Sequence, residues 1–564
     1  MSSVRLLNQS SDGLKNLEFS HIKLVQRLTQ IVPHAVVRES IFAVLNDLTT
    51  EIGTKVSDED RQATLSTLGE WLAGMIRGLL KLGNGSADVA KKGVMAAQSL
   101  LKKVLPHLSI THADTWSHVL YYVSRPRVLS PSQLEGLAPI VAYVVEELEQ
   151  SFVRATAEDY ANQVKWLSLV EPLLVHLLAQ NEGNSLGAQV RDSVVSVIGE
   201  HGLAHRYKMV RDRVAKTLFI VDASEVSSLS KPRTTERMME KLVSLCHAEN
   251  TSADSSSVDN DDDPNTLSAK ETAMQWLVSA DRHGDTHNFA RLMKHLFPVA
   301  FLSQNHRKVE LALLAKNTTN AVSLSLRLQP PPGDSVGFAH LDELLSMLEQ
   351  FATHQLWKTR AAVLRFLTSF TFYHWIFLNA ELQQRVQTLV TAFLADEQRE
   401  VQDMAKYTLR GLVFIQRSSA VEILSKQLIE QAMDSRVKHP KLVRRLQKQE
   451  QEEGTDSDEV LKTKLRIKNN EKKMATSVLG MSAIVLAFPY SVPPFVPPLF
   501  EEMGRYLYIK HSTPTVSFLE KSVKDTLLEF KRTHQDNWLD IKNSFTQEQR
   551  DVFEDVLISP SYYT

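Results

Sequence analysis

The sequence is poor in cysteine and glycine, and charge of neither sign dominates it. It has one cysteine, Cys246, and 20 glycines among 564 residues. A single cysteine excludes an intramolecular disulfide and any zinc site built from cysteines. Scarce glycine favours helices over turn-rich β folds. Because 64 Lys and Arg face 66 Asp and Glu, the chain as a whole does not attract nucleic acid or anionic membranes, and we expect no direct contact with either.

The sequence also shows no export signal or membrane span. Its longest apolar stretch, residues 478–500, is interrupted by five prolines. Only residues 478–488 remain for a helix, and this length is too short to cross a bilayer. We therefore expect a cytosolic or nuclear protein.

Helical periodicity recurs along the chain and sets the expected fold class. Apolar residues share one helical face in 137–148 and again in 401–412. A finer pattern places a basic residue beside the first apolar position, as in Val210-Arg211 followed by Val214, Ala215 and Leu218. It resembles the second helix of HEAT repeats, in which each helix pair buries its apolar stripe against the next pair. The sequence predicts an all-α, HEAT-repeat-like α-solenoid.

Composition shifts divide the chain into five parts. Residues 249–267 are polar, acidic and interrupted by proline, which predicts a flexible loop. Residues 436–473 carry alternating basic and acidic blocks, which predict an exposed charged insertion or frayed helix rather than core. We therefore expect HEAT-like repeats at 1–248 and 268–435, and a distinct C-terminal domain at 474–564. In that domain Thr513-Pro514 and the Thr546/Gln549 capping box predict helix starts.

No catalytic motif stands out. His283, Asp285 and His287 are of metal-ligating types, but a polar turn between helices explains them as well and no third His or Cys is obvious. Cys246 lies in an apolar helical segment, where a buried structural thiol is the simpler interpretation. We expect no catalytic residue, no metal and no enzymatic activity. One further hypothesis is an enzyme with a hidden metal site around His283, Asp285 and His287.

The last three residues, Tyr562, Tyr563 and Thr564, form a hydrophobic-Tyr-any ending. Tyrosine and hydrophobic residues occur at frequencies that produce such an ending in roughly one sequence in a hundred. A terminal carboxylate, a penultimate ring and an apolar residue suit a pocket between two subunits, with a lysine pairing the carboxylate. So short a tail needs a large body that already holds it near the pocket.

Three stretches of the C-terminal region carry a resemblance to a known family. They are LGMSAIVLAFPYSVPPFVPPLF at 479–500, VKDTLLEFKRTHQDNW at 523–538 and the terminal SPSYYT. They resemble the C-terminal domain of the proteasome activator complex subunit 4 family, the giant single-chain, ATP-independent activators. The match covers 478–564, and upstream it rests on the HEAT-like pattern and order.

The resemblance implies a function. Such proteins are monomeric HEAT solenoids that cap the α-subunit ring of the proteasome core particle. Their terminal tail, here Tyr562, Tyr563 and Thr564, enters an inter-subunit pocket and favours gate opening, which stimulates peptide hydrolysis without ATP. The resemblance also implies a nuclear pool, a role in DNA repair, inositol phosphate binding, and recognition of acetylated histones by a bromodomain-like part near 370–460.

Two features depart from the family pattern. Family chains are far longer, so this sequence is a C-terminal piece, a truncated gene model or a shortened homologue. The last residue is Thr564 where alanine is common. The alternative function is a HEAT scaffold of the nuclear-import or phosphatase-adaptor type, in which the C-terminal tyrosines are incidental.

Overall fold

The computed structural model describes most of the chain from residue 113 to residue 557. The described ranges are 113–124, 131–153, 160–178, 185–224, 234–247, 263–284, 286–329, 339–453, 458–509 and 513–557, with the single residues 69, 101 and 105. Every regular element in these ranges is a helix. The chain divides into two compact units, Met1–Ala300 and Phe301–Thr564.

The helices of the first unit that the structure describes follow one another from residue 113 onward. They are α1 (Ala113–Val123), α2 (Pro131–Val153), α3 (Tyr160–Leu177), α4 (Ser185–Val197), α5 (Lys208–Ser224), α6 (Thr234–Cys246) and α7 (Pro264–His283). A π-helical turn, Ile198–Gly202, continues α4. The division between the units falls within α8 (Thr286–Ser303).

The second unit contains longer helices toward its end. They are α9 (Val309–Leu324), α10 (Ala339–Ala352), α11 (Trp357–His374), α12 (Ala380–Phe393), α13 (Arg399–Ile415), α14 (Ser418–Glu453), α15 (Asp458–Leu486), α16 (Pro497–Gly504), α17 (Pro514–Thr533), α18 (Trp538–Ser544) and α19 (Gln547–Leu557). Short 3₁₀ turns lie at Leu326–Leu328, Trp375–Phe377, Arg505–Tyr508 and Gln535–Asn537.

Within each unit, a helix contacts its neighbours one and two positions along the chain. In the first unit, α3 packs against α1, α2 and α5, and α5 packs against α7. In the second unit, α11 packs against α9, α10 and α13, and α15 packs against α13 and α17. Contacts between alternate helices are those of stacked helical hairpins. In its described residues each unit is an all-α, HEAT-repeat-like α-solenoid, as the sequence predicts.

The predicted apolar faces form the core. Leu137, Ile140, Val141, Val144 and Leu148 on α2 are at most 2% exposed. On α13, the matching face is fully buried at Val401, Ala405, Leu409 and Leu412. Burial of apolar area provides most of the driving force for such stacks. A single hairpin cannot bury its own apolar face, so the adjoining hairpin has to cover it.

The same type of hydrogen bond occurs in four turns between consecutive helices. In each, a side-chain atom accepts the backbone N–H two residues later, which satisfies a donor that the following helix leaves without an intrahelical partner. The acceptors are Nδ1 of His205, His306 and His354 and Oδ1 of Asp396, at 3.2, 3.0, 3.1 and 2.8 Å. Turns of the same construction therefore recur in both units.

A polar residue six positions after the turn residue strengthens three of these turns. The Arg211 guanidinium donates to the backbone oxygens of His205 and Arg206 at 2.6 and 2.8 Å. The guanidinium of Arg360 bonds the equivalent oxygens, of His354 and Gln355, both at 2.9 Å. The Gln402 amide donates to the Asp396 carbonyl at 2.6 Å.

Arg360 and Asp396 also connect successive repeats. Two guanidinium nitrogens of Arg360 bond the two carboxylate oxygens of Asp396, at 2.7 and 2.8 Å. Burial opposes ionisation of Asp396, but the hydrogen bonds from Arg360 and from the Gln398 amide outweigh it and lower its pKa. The basic residue of the HEAT-like pattern therefore bridges repeats as well as covering the groove between helices.

The range 436–473, expected to be an exposed charged insertion or a frayed helix, is helical and largely exposed in its described residues, 436–453 and 458–473. These residues continue two antiparallel helices, α14 with 36 residues and α15 with 29, which pack against each other, so the range is not an insertion. The buried stripe of α15 includes Thr463 and Asn470, which are 1% and 6% exposed. Polar residues on the inner face hide the apolar period, and this is why the sequence suggests an insertion. For the same reason no boundary lies at 474, because α15 runs through it.

The range predicted as a loop, 249–267, extends too far at its C-terminal end, because its last four residues belong to a helix. Helix α7 begins at Pro264, with proline in its first turn, and Thr266 and Leu267 are already buried. Proline at the first helical position starts a helix rather than interrupting one. Residues 249–262 lie outside the described residues.

Candidate functional site

A cluster of aromatic side chains forms the centre of the C-terminal domain. Phe500 of α16 lies 4.9 Å from Phe530 of α17 and 5.0 Å from Phe553 of α19, measured between ring centroids. Phe545 and Trp538 complete the cluster, at 5.8 and 5.1 Å from Phe553. Edge-to-face and offset ring pairs add to the free energy gained from burial. Phe553 therefore fixes the last described helix to the rest of the domain.

This cluster explains two of the sequence stretches that carry the family resemblance. Phe530 and Trp538 each supply a ring to the cluster, and the imidazole of His534 stacks on Phe530 at 4.2 Å. His534 Nδ1 also lies 2.9 Å from the backbone oxygen of Phe530, at the C-terminal end of α17. In the Pro-rich stretch, Phe488 and Phe495 form an edge-to-face pair at 5.6 Å.

The final helix α19 is held at its N-terminus by the predicted capping box. The Thr546 N–H donates to the side chain of Gln549 at 3.0 Å, and the Gln549 N–H donates to the Thr546 hydroxyl at 3.3 Å. The Gln549 amide also donates to Glu501 of α16 at 2.9 Å. The same sequence logic holds at α17, where the Thr513 hydroxyl accepts the Val516 N–H and Pro514 opens the helix. Both predicted helix starts are confirmed.

Helices α16 and α19 approach so closely that only glycine fits between them at one position. A Cβ on Gly504 would lie 2.4 Å from Cγ2 of Val552. Sequence analysis did not identify this position, because a glycine inside a helical segment has no pattern of its own. The contact fixes the distance between the two helices at the middle of α19.

Buried polar groups fasten α16 and α17 to the long helical pair. Glu502, whose side chain is 3% exposed, pairs with Arg436 of α14 at 2.9 Å. The Tyr506 hydroxyl donates to the backbone oxygen of Ala432 at 3.0 Å, and burial raises the pKa of Tyr506. The two oxygens of Glu471 on α15 accept the hydroxyls of Thr513 and Thr515, at 2.7 and 3.0 Å. The helices that support α19 are thus tied to the solenoid.

The predicted site residues Tyr562, Tyr563 and Thr564 lie outside the described residues, as do Ser559 and Pro560. The structure describes the platform that precedes them, ending at Leu557. Their role stays a prediction.

The aromatic segment near 370–377 divides into a buried and an exposed set. Phe370 is fully buried, and His374, 1% exposed, has its Nε2 3.1 Å from the backbone oxygen of Ser323. Phe372 and Tyr373 are 72% and 50% exposed and form an edge-to-face pair at 5.3 Å.

The candidate metal and nucleophile residues do not form a site in the described part of the chain. The His283 ring packs 6.2 Å from that of Phe219, and Asp285 is not among the described residues. No group of three or more His, Cys, Asp or Glu in the described ranges is arranged to hold a metal ion. Burial raises the pKa of Cys246 to about 12, so its thiol stays protonated at neutral pH.

No helix in the described ranges is both long enough and apolar enough to span a bilayer.

Comparisons with known proteins match this C-terminal domain to a family model and match the chain to several relatives. A family model described as "Proteasome activator complex subunit 4-like, C-terminal" matches residues 471–564. Proteasome activator complex subunit 4 of Homo sapiens is 31% identical over 385 residues, covering 64% of this chain and 19% of that protein. Proteasome activator subunit 4 of Arabidopsis thaliana is 26% identical over 309 residues, covering 54% of this chain and 15% of that protein.

Two further comparisons are more distant. Proteasome activator BLM10 of Saccharomyces cerevisiae is 30% identical over 104 residues, covering 18% of this chain and 4% of that protein. Among solved structures, the karyopherin Kap121p bound to the SUMO protease Ulp1p aligns with a TM-score of 0.44 at 11% identity, covering 98% of this chain and 53% of that chain.

This chain therefore spans about a fifth of the length of the human relative. Its match to the family model includes the aromatic cluster, the capping box of α19 and the three tail residues. Residues 471–564 thus carry the C-terminal domain of the proteasome activator complex subunit 4 family, and the chain as a whole is similar to proteins of that name.

Proposed function

We propose that this chain is an ATP-independent activator of the proteasome core particle, docking on its α-subunit ring through Tyr562, Tyr563 and Thr564. The observation that carries the proposal is the family match, which extends to Thr564 and thus includes the tail. Relatives in animals, a plant and a yeast bear the name proteasome activator.

The platform beneath the tail supports this mechanism. Helix α19 is fixed by Phe553, Gln549 and the close approach of Val552 to Gly504. A rigid launch point reduces the entropy that the tail loses on entering a pocket. Because the tail and the solenoid body belong to one chain, a body that rests on the core particle raises the effective concentration of the tail at the pocket.

Within the pocket, the three residues have different tasks. The Thr564 carboxylate pairs with a lysine of the core particle, the Tyr563 ring fills apolar space, and its hydroxyl bonds a backbone group. Tyr562 adds buried area. Seating of the tail favours the open gate, so peptides enter without ATP.

The test is a peptidase assay with intact core particle and purified chain. We expect stimulation by the parent chain, a modest loss with Tyr563→Phe and near-complete loss with Tyr563→Ala or deletion of residues 562–564. The matched control is Tyr508→Phe, which removes the hydroxyl of a tyrosine that is 61% exposed outside the tail. Failure of the parent chain to bind core particle would favour the scaffold alternative.

A second candidate function is recognition of acetylated histones. Exposure of the Phe372–Tyr373 pair favours it, because exposed rings provide an apolar contact for a neutral acetyl-lysine side chain. A role in DNA repair and a nuclear pool would follow from such recognition.

Peptide binding by the whole chain tests this second candidate. We expect an acetylated histone peptide to bind more tightly than its unmodified form, and Phe372→Ala with Tyr373→Ala to remove the difference. Tyr407→Ala, which removes a ring that is 66% exposed on α13, should leave it unchanged. Equal affinity for both peptides would exclude the candidate.

A further inference from the structure

The second unit contains a groove where the turn before α13 meets α15 and the N-terminus of α17. It encloses about 310 Å³, which is at the lower end of the volumes of small-ligand pockets, about 300–1,000 Å³. Its lining combines three cations with an aromatic ring and small apolar side chains: Arg399, Lys468, Lys472, Phe518, Ala475 and Pro514. Because these residues line one groove, a single ligand can contact several of them at once.

One cation of the groove, Arg399, pairs with none of the carboxylates that line it. Its guanidinium lies 4.9 Å from the centre of the Phe518 ring. The three lining carboxylates have other partners: Asp396 pairs with Arg360, Glu397 with Lys468, and Glu471 with the hydroxyls of Thr513 and Thr515. A ligand carboxylate can therefore bond Arg399, and an aromatic ring of the same ligand can pack on Phe518.

The lining carboxylates also limit which anions the groove accepts. Lys468 and Lys472 lie 2.8 and 3.9 Å from the same carboxylate, that of Glu397. The three cations of the lining thus face three carboxylates. A polyphosphate would bring several negative charges against these carboxylates, whereas a single carboxylate joined to a ring meets one unpaired guanidinium and apolar walls.

Helix α19 runs parallel to α16, and this fixes the direction in which the chain continues. The Gln549 amide bonds Glu501 at 2.9 Å, and three residues further along both helices Val552 lies against Gly504. Residues that follow Leu557 therefore start from the end of α19 that lies beside the end of α16.

Helix α17 runs in the opposite direction to these two helices. Phe500 of α16 and Phe553 of α19 both contact Phe530, at 4.9 and 6.0 Å between ring centroids. Helix α17 ends three residues after Phe530, yet the 3₁₀ turn Arg505–Tyr508 that follows α16 also packs against α17. That turn therefore lies against residues that precede Phe530. Helix α19 points the same way, toward the N-terminal end of α17, which lines the groove.

The chain after α19 is long enough to enter the groove. Phe518 precedes Phe530 by 12 residues, about 18 Å along α17, and its position about 120° around the helix adds about 10 Å. The four residues of α19 after Phe553 cover about 6 Å of the first distance. Residues 558–564 span about 23 Å when extended, whereas a path of only about 16 Å remains.

We propose that the groove is the resting site of the tail in the free protein, an autoinhibitory contact that withholds Tyr562, Tyr563 and Thr564 from the core particle. The Thr564 carboxylate bonds Arg399, and a tyrosine ring of the tail packs on Phe518. Because the contact is intramolecular, an effective concentration in the millimolar range compensates for the weak affinity of so short a segment. The inhibitory role rests on the proposed function of the tail, whereas the contact itself does not.

The contact is tested with a labelled peptide of residues 559–564, without the core particle. Fluorescence anisotropy compares its binding to the full chain and to a chain that lacks residues 558–564, in which the groove is free. The comparison probes are the same peptide with an amidated C-terminus, and inositol hexakisphosphate as a competitor. The variant is Arg399→Gln, and the matched control is Arg417→Gln, which neutralises an exposed arginine in the turn before α14.

We expect the peptide to bind the shortened chain at least tenfold more tightly than the full chain, whose own tail competes. Amidation of the peptide and Arg399→Gln should each weaken binding to the shortened chain about tenfold, and Arg417→Gln should leave it unchanged. Circular dichroism verifies folding, and the amidated peptide tests the carboxylate even if the variant unfolds.

Four outcomes would each overturn the proposed contact. They are no binding of the peptide to the shortened chain, equal binding to the two chains, equal affinity of the free and amidated peptides, and displacement of the peptide by inositol hexakisphosphate at a lower concentration than by unlabelled peptide. The last outcome would make the groove a polyanion site.

The peptidase assay with core particle tests the inhibitory role. Arg399→Gln frees the tail, so it should lower the concentration of chain that gives half-maximal stimulation about threefold and leave the maximum unchanged. An unchanged concentration would overturn the inhibitory role. If neither parent nor variant stimulates the core particle while the peptide still binds the shortened chain, the proposed function fails and the contact stands.

Discussion

At the residue scale, the repeats depend on one small device in the turns. In each of four turns, a side-chain atom accepts the backbone N–H of the residue two positions later. The acceptors are imidazole nitrogens of His205, His306 and His354 and a carboxylate oxygen of Asp396. Sequence analysis missed it, because histidine is not among the usual helix-capping residues and its role depends on which ring nitrogen faces the turn. Arg211 belongs to the HEAT-like pattern in the sequence, but only the structure shows its hydrogen bonds to the turn.

Removing one of these acceptors should destabilise its turn. We expect His354→Ala to lower the free energy of unfolding of the second unit by about 0.5–2 kcal/mol, as for the loss of a helix cap. His354→Asp should retain most of the unfolding free energy, because an aspartate accepts the equivalent backbone N–H at position 396. Amide hydrogen exchange at Leu356, the N–H that His354 accepts, measures the effect locally. Unchanged protection in the alanine variant would contradict this account.

Protonation should have a related effect at His205. Burial lowers its pKa, and the charges of Arg211 and Arg206 lower it further. As pH falls below about 6.5, the unfolded chain takes up the proton first, so stability falls until the pH passes the lower folded pKa. Urea unfolding at pH 7.5 and pH 5 should show a smaller loss in His205→Asn than in the parent. Parallel pH dependence in both would refute the assignment.

At the element scale, helix starts were predictable and helix pairing was not. Thr513-Pro514 and Thr546/Gln549 are local signals, and the structure forms both caps. The pairing of α14 with α15 depends on buried polar residues such as Asn470, whose hydrogen bond to Ser435 is visible only in three dimensions. A helix cap depends on residues that are neighbours in the sequence, so it can be predicted from them. The pairing of two helices depends on residues far apart in the sequence.

The contact between α16 and α19 provides a matched pair of glycine substitutions. Gly504→Ala brings a Cβ against Val552 and should destabilise the domain by about 1–3 kcal/mol, with reduced stimulation of the core particle because α19 shifts. Gly411 in α13 has no atom within 4 Å of its Cβ position, so Gly411→Ala should stabilise by about 0.5–1 kcal/mol.

Thermal unfolding and peptidase assays of both glycine variants measure these effects. Adding Val552→Ala to Gly504→Ala should restore part of the loss by making room for the new methyl group. If Gly504→Ala behaves like Gly411→Ala, the close contact does not position α19.

At the scale of the whole molecule, the fold class followed from periodicity and the family from a few C-terminal stretches. Stacked helices repeat one simple pattern, so their type is readable even where boundaries such as 249–267 and 436–473 are misplaced. The tail differs in kind, because its proposed role depends on a pocket in another protein. Three residues at the end of a chain carry no packing pattern from which that pocket could be derived.

The carboxylate of Thr564 is the central element of the proposed mechanism. Losing its paired charge should cost more binding free energy than losing the Tyr563 hydroxyl, on the order of 2–5 against 0.5–1.5 kcal/mol. A chain extended by one glycine after Thr564 keeps every side chain and moves only the charge.

The most direct test is therefore core-particle peptidase activity with the parent chain and with the glycine-extended chain at equal concentration. The account predicts strong stimulation by the parent and almost none by the extended chain, while circular dichroism shows both equally folded. Equal stimulation by the two chains would contradict anchoring of the tail by its carboxylate.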